Sequence, residues 1–119
     1  LLENPNIGEA RGKGLMGALE AVQDKGSKTP FAARLSVSER IANTCTDHGL
    51  ICRPLGQSIV LCPAFIFTES HIDEMFEKLE AALKQVFREV AYSSRRAGSS
   101  ARHYLIISTI FLAPPPIAI

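Results

Sequence analysis

The sequence predicts an α+β domain in the order β-α-β-β-α, a small sheet with helices packed on one face. Three observations carry this. Residues 1–35 have a strand-like pattern cut by glycine-bearing turns, and two short apolar runs at 50–52 and 58–62 flank Arg53-Pro54-Leu55-Gly56-Gln57. The stretches after Ser36 and after Thr68 space their apolar residues as a helix does. With 119 residues, 46% hydrophobic and 21% charged, the chain has material for one folded core, or one core and a tail, and is not a disordered or fibrous sequence. A formal charge of +1, with no lysine and arginine cluster interleaved with aromatics, excludes a dedicated nucleic-acid binder.

The elements follow in order. Residues 9–14 alternate small and charged side chains, and residues 15–22 are apolar except at Gly17 and Glu20. The turn-rich Asp24-Lys25-Gly26-Ser27 closes a strand or a bent strand pair. Ser36-Val37-Ser38-Glu39 matches the capping box, in which the serine oxygen accepts a free amide and the glutamate reaches back. Ile41, Ala42 and Cys45 make the buried stripe of this helix, His48 sits in its last turn, and Gly49 supplies a left-handed stop. Residues 50–52 and 58–62 read as a hairpin turning at Pro54 and Gly56. Thr68 then caps the longest helix, with Ile72, Met75, Phe76, Leu79, Leu83, Val86, Phe87 and Val90 on its apolar side. Glu74 with Lys78 and Glu80 with Lys84 are i,i+4 pairs on the wet side.

The charge balance divides the chain near residue 92. Residues 1–92 hold ten Lys/Arg against twelve Asp/Glu, whereas residues 93–119 hold Arg95, Arg96 and Arg102 and no acid. Residues 1–92 are therefore read as the domain and 93–119 as a Ser/Arg-rich, then apolar, tail. The run 104–112 is β-prone and uncharged, about half a membrane span. It reads as an added strand or as a loose tail without evolved function, and the abrupt change of composition favours the second. No stretch reaches the ~18–20 apolar residues of a membrane span. Cys45, Cys52 and Cys62 are odd in number, form no CxxC pair and lack a histidine at ligand spacing, so they read as buried thiols in a reducing compartment, the cytoplasm or an organelle matrix. No metal is expected. The chain starts at Leu1 and is expected to be a piece of a longer polypeptide.

Few residues point to chemistry. Gly12-Lys13-Gly14-Leu15-Met16-Gly17 matches GxGxxG, but that fingerprint follows a hydrophobic strand, and residues 1–10 are polar around Asn4-Pro5-Asn6. The pattern reads instead as a strand with glycines for close backbone packing. His48, His71 and His103 have no carboxylate and nucleophile arranged as a triad and read as solvent-facing or helix-end groups. The five lysines sit in polar or helix-surface contexts, where nothing dry lowers an amine's pKa. Asp73, Glu74, Glu77 and Glu80 are the hydrated face of the last helix. Arg53 differs, because its planar fork emerges where an apolar strand meets a turn, a place suited to gripping a carboxylate by two parallel hydrogen bonds.

Four segments raise that reading: residues 7–20, Ile-Gly-Glu-Ala-Arg-Gly-Lys-Gly-Leu-Met-Gly-Ala-Leu-Glu; residues 48–56, His-Gly-Leu-Ile-Cys-Arg-Pro-Leu-Gly; residues 59–63, Ile-Val-Leu-Cys-Pro; and Thr68-Glu69 with Ile72-Asp73-Glu74. In this order and spacing they resemble the C-terminal small domain of the class III aminotransferases, fold-type I pyridoxal-phosphate enzymes. The resemblance covers residues 1–92. Arg53-Pro54-Leu55-Gly56 is similar to the amine and ω-amino acid:pyruvate branch, which implies that Arg53 holds the substrate carboxylate. The ornithine and acetylornithine branch places its arginine at a position matching Val60, and valine cannot bind a carboxylate. Cys62-Pro63-Ala64 departs from the two prolines of many relatives and bears on the rigidity of the following loop.

What the resemblance implies is a ping-pong exchange, in which an amine leaves as a carbonyl compound and pyruvate or another oxo acid collects the amino group. The cofactor is pyridoxal phosphate, held with the catalytic lysine by the large domain of the parent enzyme, so this chain has no catalytic or cofactor-binding residue of its own. The implied partners are that large domain, a homodimer mate, and the small amine and oxo acid substrates, with no nucleic acid and no membrane. A second reading from another class is a non-catalytic, ferredoxin-like module that binds a ligand or a partner chain.

Overall fold

A computed structural model describes the backbone of residues 1–111 and the side chains of residues 1–96. β1 (Ile7–Lys13) turns back into β2 (Met16–Asp24) through Gly14-Leu15, and β2 also pairs with the two-residue β3 (Thr29–Pro30). A short 3-10 turn, Ala33–Leu35, leads into α1 (Val37–Asp47). β4 (Arg53–Leu55) and β5 (Ser58–Leu61) form a second hairpin around Gly56-Gln57, and α2 (Glu69–Phe111) follows. Gly14 at φ +59° and Gly56 at φ +60° each take the first central position of a two-residue turn, where a left-handed residue matches the twist of the flanking strands.

The strands lie antiparallel in the order β1-β2-β5-β4, with β3 added beside β2, so the two hairpins join through β2 and β5 and β4 stands at an edge. Side chains alternate across this sheet. Leu19, Ile59 and Leu61 are buried, as are Val37, Ile41 and Cys45 of α1 and Met75, Leu79, Leu83 and Val86 of α2. The rings of Phe31 and Phe87 stack at 6.1 Å. Their strand neighbours Arg11, Met16, Arg53 and Leu55 are exposed and Ala18 and Val60 half-buried, which leaves the opposite face of the sheet open. The predicted fold class, a small antiparallel sheet with two helices, is the observed one.

Four local expectations are corrected. Ser36 holds the N-cap position of α1, but its left-handed backbone (φ 44°, ψ 46°) bends the chain out of the 3-10 turn and its side chain makes no capping hydrogen bond. Ser38 does the anchoring instead, its hydroxyl donating to the carbonyl of Gly56 at 2.7 Å. The first strand of the second hairpin begins at Arg53 rather than at residue 50. Leu50 is used up in ending α1: with Gly49 at φ +79°, its amide donates to Cys45 O at 2.8 Å while that of Gly49 donates to Thr46 O at 2.9 Å. Pro54 is tolerated within β4 because an edge strand has one unpaired side.

Phe76, expected in the buried stripe, is 41% exposed on its flank. Last, residues 93–111 continue α2 rather than adding a strand. A helix already formed gains a hydrogen bond for each residue added, and no proline intervenes before Pro114 to halt it. Residues 112–119 and the side chains of the apolar run from 104 lie outside the described residues. The chain divides into two units, Leu1–Arg88 and Glu89–Ile119.

Candidate functional site

Arg53 opens β4 at the sheet edge and pairs with Val60 of β5; Val60 pairs with Ala18 of β2, and Ala18 with Arg11 of β1. Four residues thus stand in one row across the open face, with a guanidinium at each end, three strand spacings or about 14 Å apart. The two ends are not alike. Arg11 lies 3.6 Å from Glu20, 3.9 Å from Glu9 and 3.5 Å from the hydroxyl of Ser58. The side chain of Arg53 is exposed and makes no hydrogen bond or ion pair with any described residue. Its five donors are available to a ligand, where Arg11 has two ion-pair partners and one hydroxyl partner within the sheet.

What surrounds Arg53 is apolar. A cavity of about 620 Å³ is lined by Met16, Ile51, Leu55, Val60 and the two cysteines Cys52 and Cys62, with Arg53 its single charged wall residue. A neighbouring depression of about 440 Å³ shares Met16, Leu55 and Val60 and ends at Arg11 and Lys13. A fork set beside apolar side chains suits a small molecule with one carboxylate and an apolar body. Cavity and arginine owe their place to the hairpin: Gly56 turns it, Ser38 ties that turn to α1, and the register brings Arg53 beside Val60.

The other candidates resolve as follows. Gly12, Gly14 and Gly17 belong to the β1–β2 hairpin with no helix after them; a Cβ at Gly12 would lie 3.1 Å from the carbonyl of Met16, so Gly12 serves close strand packing, Gly14 serves the turn, and a Cβ at Gly17 would meet nothing nearer than 4.0 Å. His48 ends α1, and the side chain of His103 lies outside the described residues. His71 is exposed and at a helix end, as expected, but its capping role was not read from the sequence. Its Nδ1 accepts the amide of Thr68 at 3.1 Å while its own amide donates to Thr68 Oγ1 at 3.4 Å, a capping box with histidine in the glutamate's place. The signal was the spacing Thr68-x-x-His71.

The cysteines are not all buried: Cys45 is, Cys52 is half-buried and Cys62 is exposed where the chain leaves β5. Among the described residues no group of three His, Cys, Asp or Glu could hold a metal ion, and no helix is long and apolar enough to cross a membrane. A site for pyridoxal phosphate needs a lysine in a dry pocket. Lys13, Lys25, Lys28 and Lys84 are exposed, and Lys78 is ion-paired with Glu74. The residues present do not fit that cofactor.

Comparison with known proteins decides the family. The model of the family described as aminotransferase class III matches residues 1–83. The chain belongs to the class III aminotransferases. The crystal structure of an ω-transferase from Vibrio fluvialis JS17 is 74% identical over 76% of this chain and 22% of its own, with a TM-score of 0.75. The PMP-bound form of an aminotransferase from Vibrio fluvialis is 75% identical over 74% of this chain and 20% of its own, with a TM-score of 0.73. A putrescine–pyruvate aminotransferase of Pseudomonas aeruginosa is 33% identical over 85 residues, 71% of this chain and 18% of that protein. This class III sequence therefore spans about a fifth of the length of the relatives it matches.

Proposed function

We propose that this chain is the C-terminal small domain of a pyridoxal-phosphate-dependent transaminase of the amine or ω-amino acid:pyruvate type, and that Arg53 receives the carboxylate of pyruvate or another oxo acid. The observation that carries the reading is the contrast within one row: of two guanidiniums on the open face, the one at the second hairpin has no internal partner and lines a cavity with apolar walls. Similarity to an ω-transferase and to a putrescine–pyruvate aminotransferase supports the substrate class.

The parent's large domain holds the cofactor, which when bound stabilises the carbanion formed as the amino group is exchanged. Each task of this chain then follows from its own residues. Arg53 binds and orients the oxo acid by two parallel hydrogen bonds to its carboxylate. Met16, Leu55 and Val60 hold water away from the acid's apolar side. The large domain and a homodimer mate complete the cavity, in the cytoplasm or an organelle matrix.

The test is a chimera in which residues 1–92 replace the matching C-terminal segment of the Vibrio fluvialis enzyme. The reading expects the chimera to transfer amino groups from an amine to pyruvate, and the 119-residue chain mixed with pyridoxal phosphate, amine and pyruvate to give no turnover. A folded but silent chimera, or turnover by the isolated chain, overturns it.

A further inference from the structure

The open face carries a further cation outside the row that runs from Arg11 to Arg53. Lys13 ends β1, two residues beyond Arg11, and the alternation of a strand puts both on the same face. The side chain of Lys13 is exposed and makes no hydrogen bond or ion pair with any described residue. Arg11 stands between it and the nearest acids. Glu9 and Glu20 pair with each other one step along the strands, on the side of Arg11 away from Lys13, and the depression that Lys13 and Arg11 line is lined by neither acid. Lys13 and Arg53 therefore face the same open ground, each without an internal partner.

The ground between them is continuous and apolar. The cavity of about 620 Å³ at Arg53 and the depression of about 440 Å³ at Lys13 share Met16, Leu55 and Val60 in their lining. Side chains on a strand stand roughly perpendicular to the sheet, so two charged heads on one face are spaced much as their backbones are. Three strand spacings across and two residues along put the backbones of Lys13 and Arg53 about 16 Å apart. Contacts of about 3 Å at each end leave roughly 10 Å, which is the end-to-end length of a dicarboxylate of about six carbons.

We propose that this trough is a binding site for dicarboxylic oxo acids, in which Lys13 takes the far carboxylate while Arg53 takes the one beside the oxo group. The proposal rests on the role given to Arg53 above and narrows the class of oxo acid that the face receives. Pyruvate has no second carboxylate and reaches Arg53 alone. A six-carbon dicarboxylate lays its methylenes over Met16, Leu55 and Val60 and brings an anion to each cation, so that hydrocarbon meets the apolar lining and each charge meets its opposite. Lys13 suits the far end. An ammonium on a flexible stem follows a carboxylate over a range of chain lengths, where a planar fork demands one geometry.

The experiment uses the chimera with the Vibrio fluvialis large domain and two acceptors of equal chain length: 2-oxoadipate, which ends in a carboxylate, and 2-oxohexanoate, which ends in a methyl group. In Lys13→Gln the ratio of KM for 2-oxoadipate to KM for 2-oxohexanoate should rise about fivefold to tenfold. In Arg53→Ala KM should rise for both acids, because both carry the first carboxylate. The two roles fail separately. No rise for 2-oxohexanoate in Arg53→Ala overturns the role of Arg53, whereas a rise for both acids there with an unmoved ratio in Lys13→Gln overturns the second carboxylate site alone. Should the chimera give no turnover, NMR titration of the 119-residue chain decides. Adipate should shift the amide signals of both Lys13 and Arg53 and bind more tightly than hexanoate, and Lys13→Gln should abolish that difference. Shifts at Arg53 alone, or at neither residue, contradict the proposal.

Discussion

The two faces of this sheet are made from alternate residues of the same strands, yet one is buried under the helices and the other is left open. On the covered face Leu19, Ile59 and Leu61 lie buried with the apolar stripes of both helices. On the open face the intervening residues Arg11, Ala18, Val60 and Arg53 make one row that no described element covers. Because the side-chain period of a strand is two, the register that buries the first set fixes the second without further expense. The lesson is that the proposed role of Arg53 rests on the core: Arg53 is where it is because Ile59 and Leu61 are where they are.

That contrast can be broken on either side. The largest effect belongs to the covered face. Ile59→Ala removes a side chain with 1% of its surface exposed and should cost about 2–5 kcal/mol in denaturant unfolding of the chain. Gly8→Ala comes next. A Cβ there would sit 2.7 Å from a stiff branch of Val22 at the bulge of the first hairpin, for an expected loss of about 1–3 kcal/mol in the same assay. On the open face, Arg11→Ala breaks partly solvated contacts with Glu9 and Glu20 and should change stability by no more than about 1 kcal/mol.

Acid sharpens the comparison further, since it reaches neither face first. The carboxyl of Asp24 is held below the usual range by the Ser27 hydroxyl, and those of Glu74 and Glu80 by hydrogen bonds from Lys78 and Lys84. A carboxyl whose folded pKa is lowered adds stability above its unfolded value and loses it as the pH falls through its folded one. Urea unfolding at a series of pH values should therefore be level near neutrality and decline gently below about pH 4. Rising stability on acidification contradicts this.

Much of the fold was legible because the signals were local. Glycine after His48 ended α1 as read, and the apolar spacing from Met75 to Val86 marked the buried side of α2. What escaped the sequence was set by geometry between elements. Ser36 could not cap because the preceding turn held it left-handed, and Leu50 was drawn into the helix stop, which moved the strand start to Arg53. The alternative of an added strand failed because β-propensity in residues 104–111 is weaker than continuation of a helix already formed. Arg53 itself was readable as a type and a place; that Arg11 shares its row, and that partners occupy Arg11 but not Arg53, was not.

The measurement that bears most directly on the account is the kinetic effect of Arg53→Ala in the chimera with the Vibrio fluvialis large domain. Loss of a charge-assisted pair worth about 1.5–3 kcal/mol should raise KM for pyruvate about tenfold to a hundredfold, while KM for a neutral amine stays within about twofold. Equal increases for both substrates, or no increase for pyruvate, would contradict the assignment of the carboxylate to Arg53.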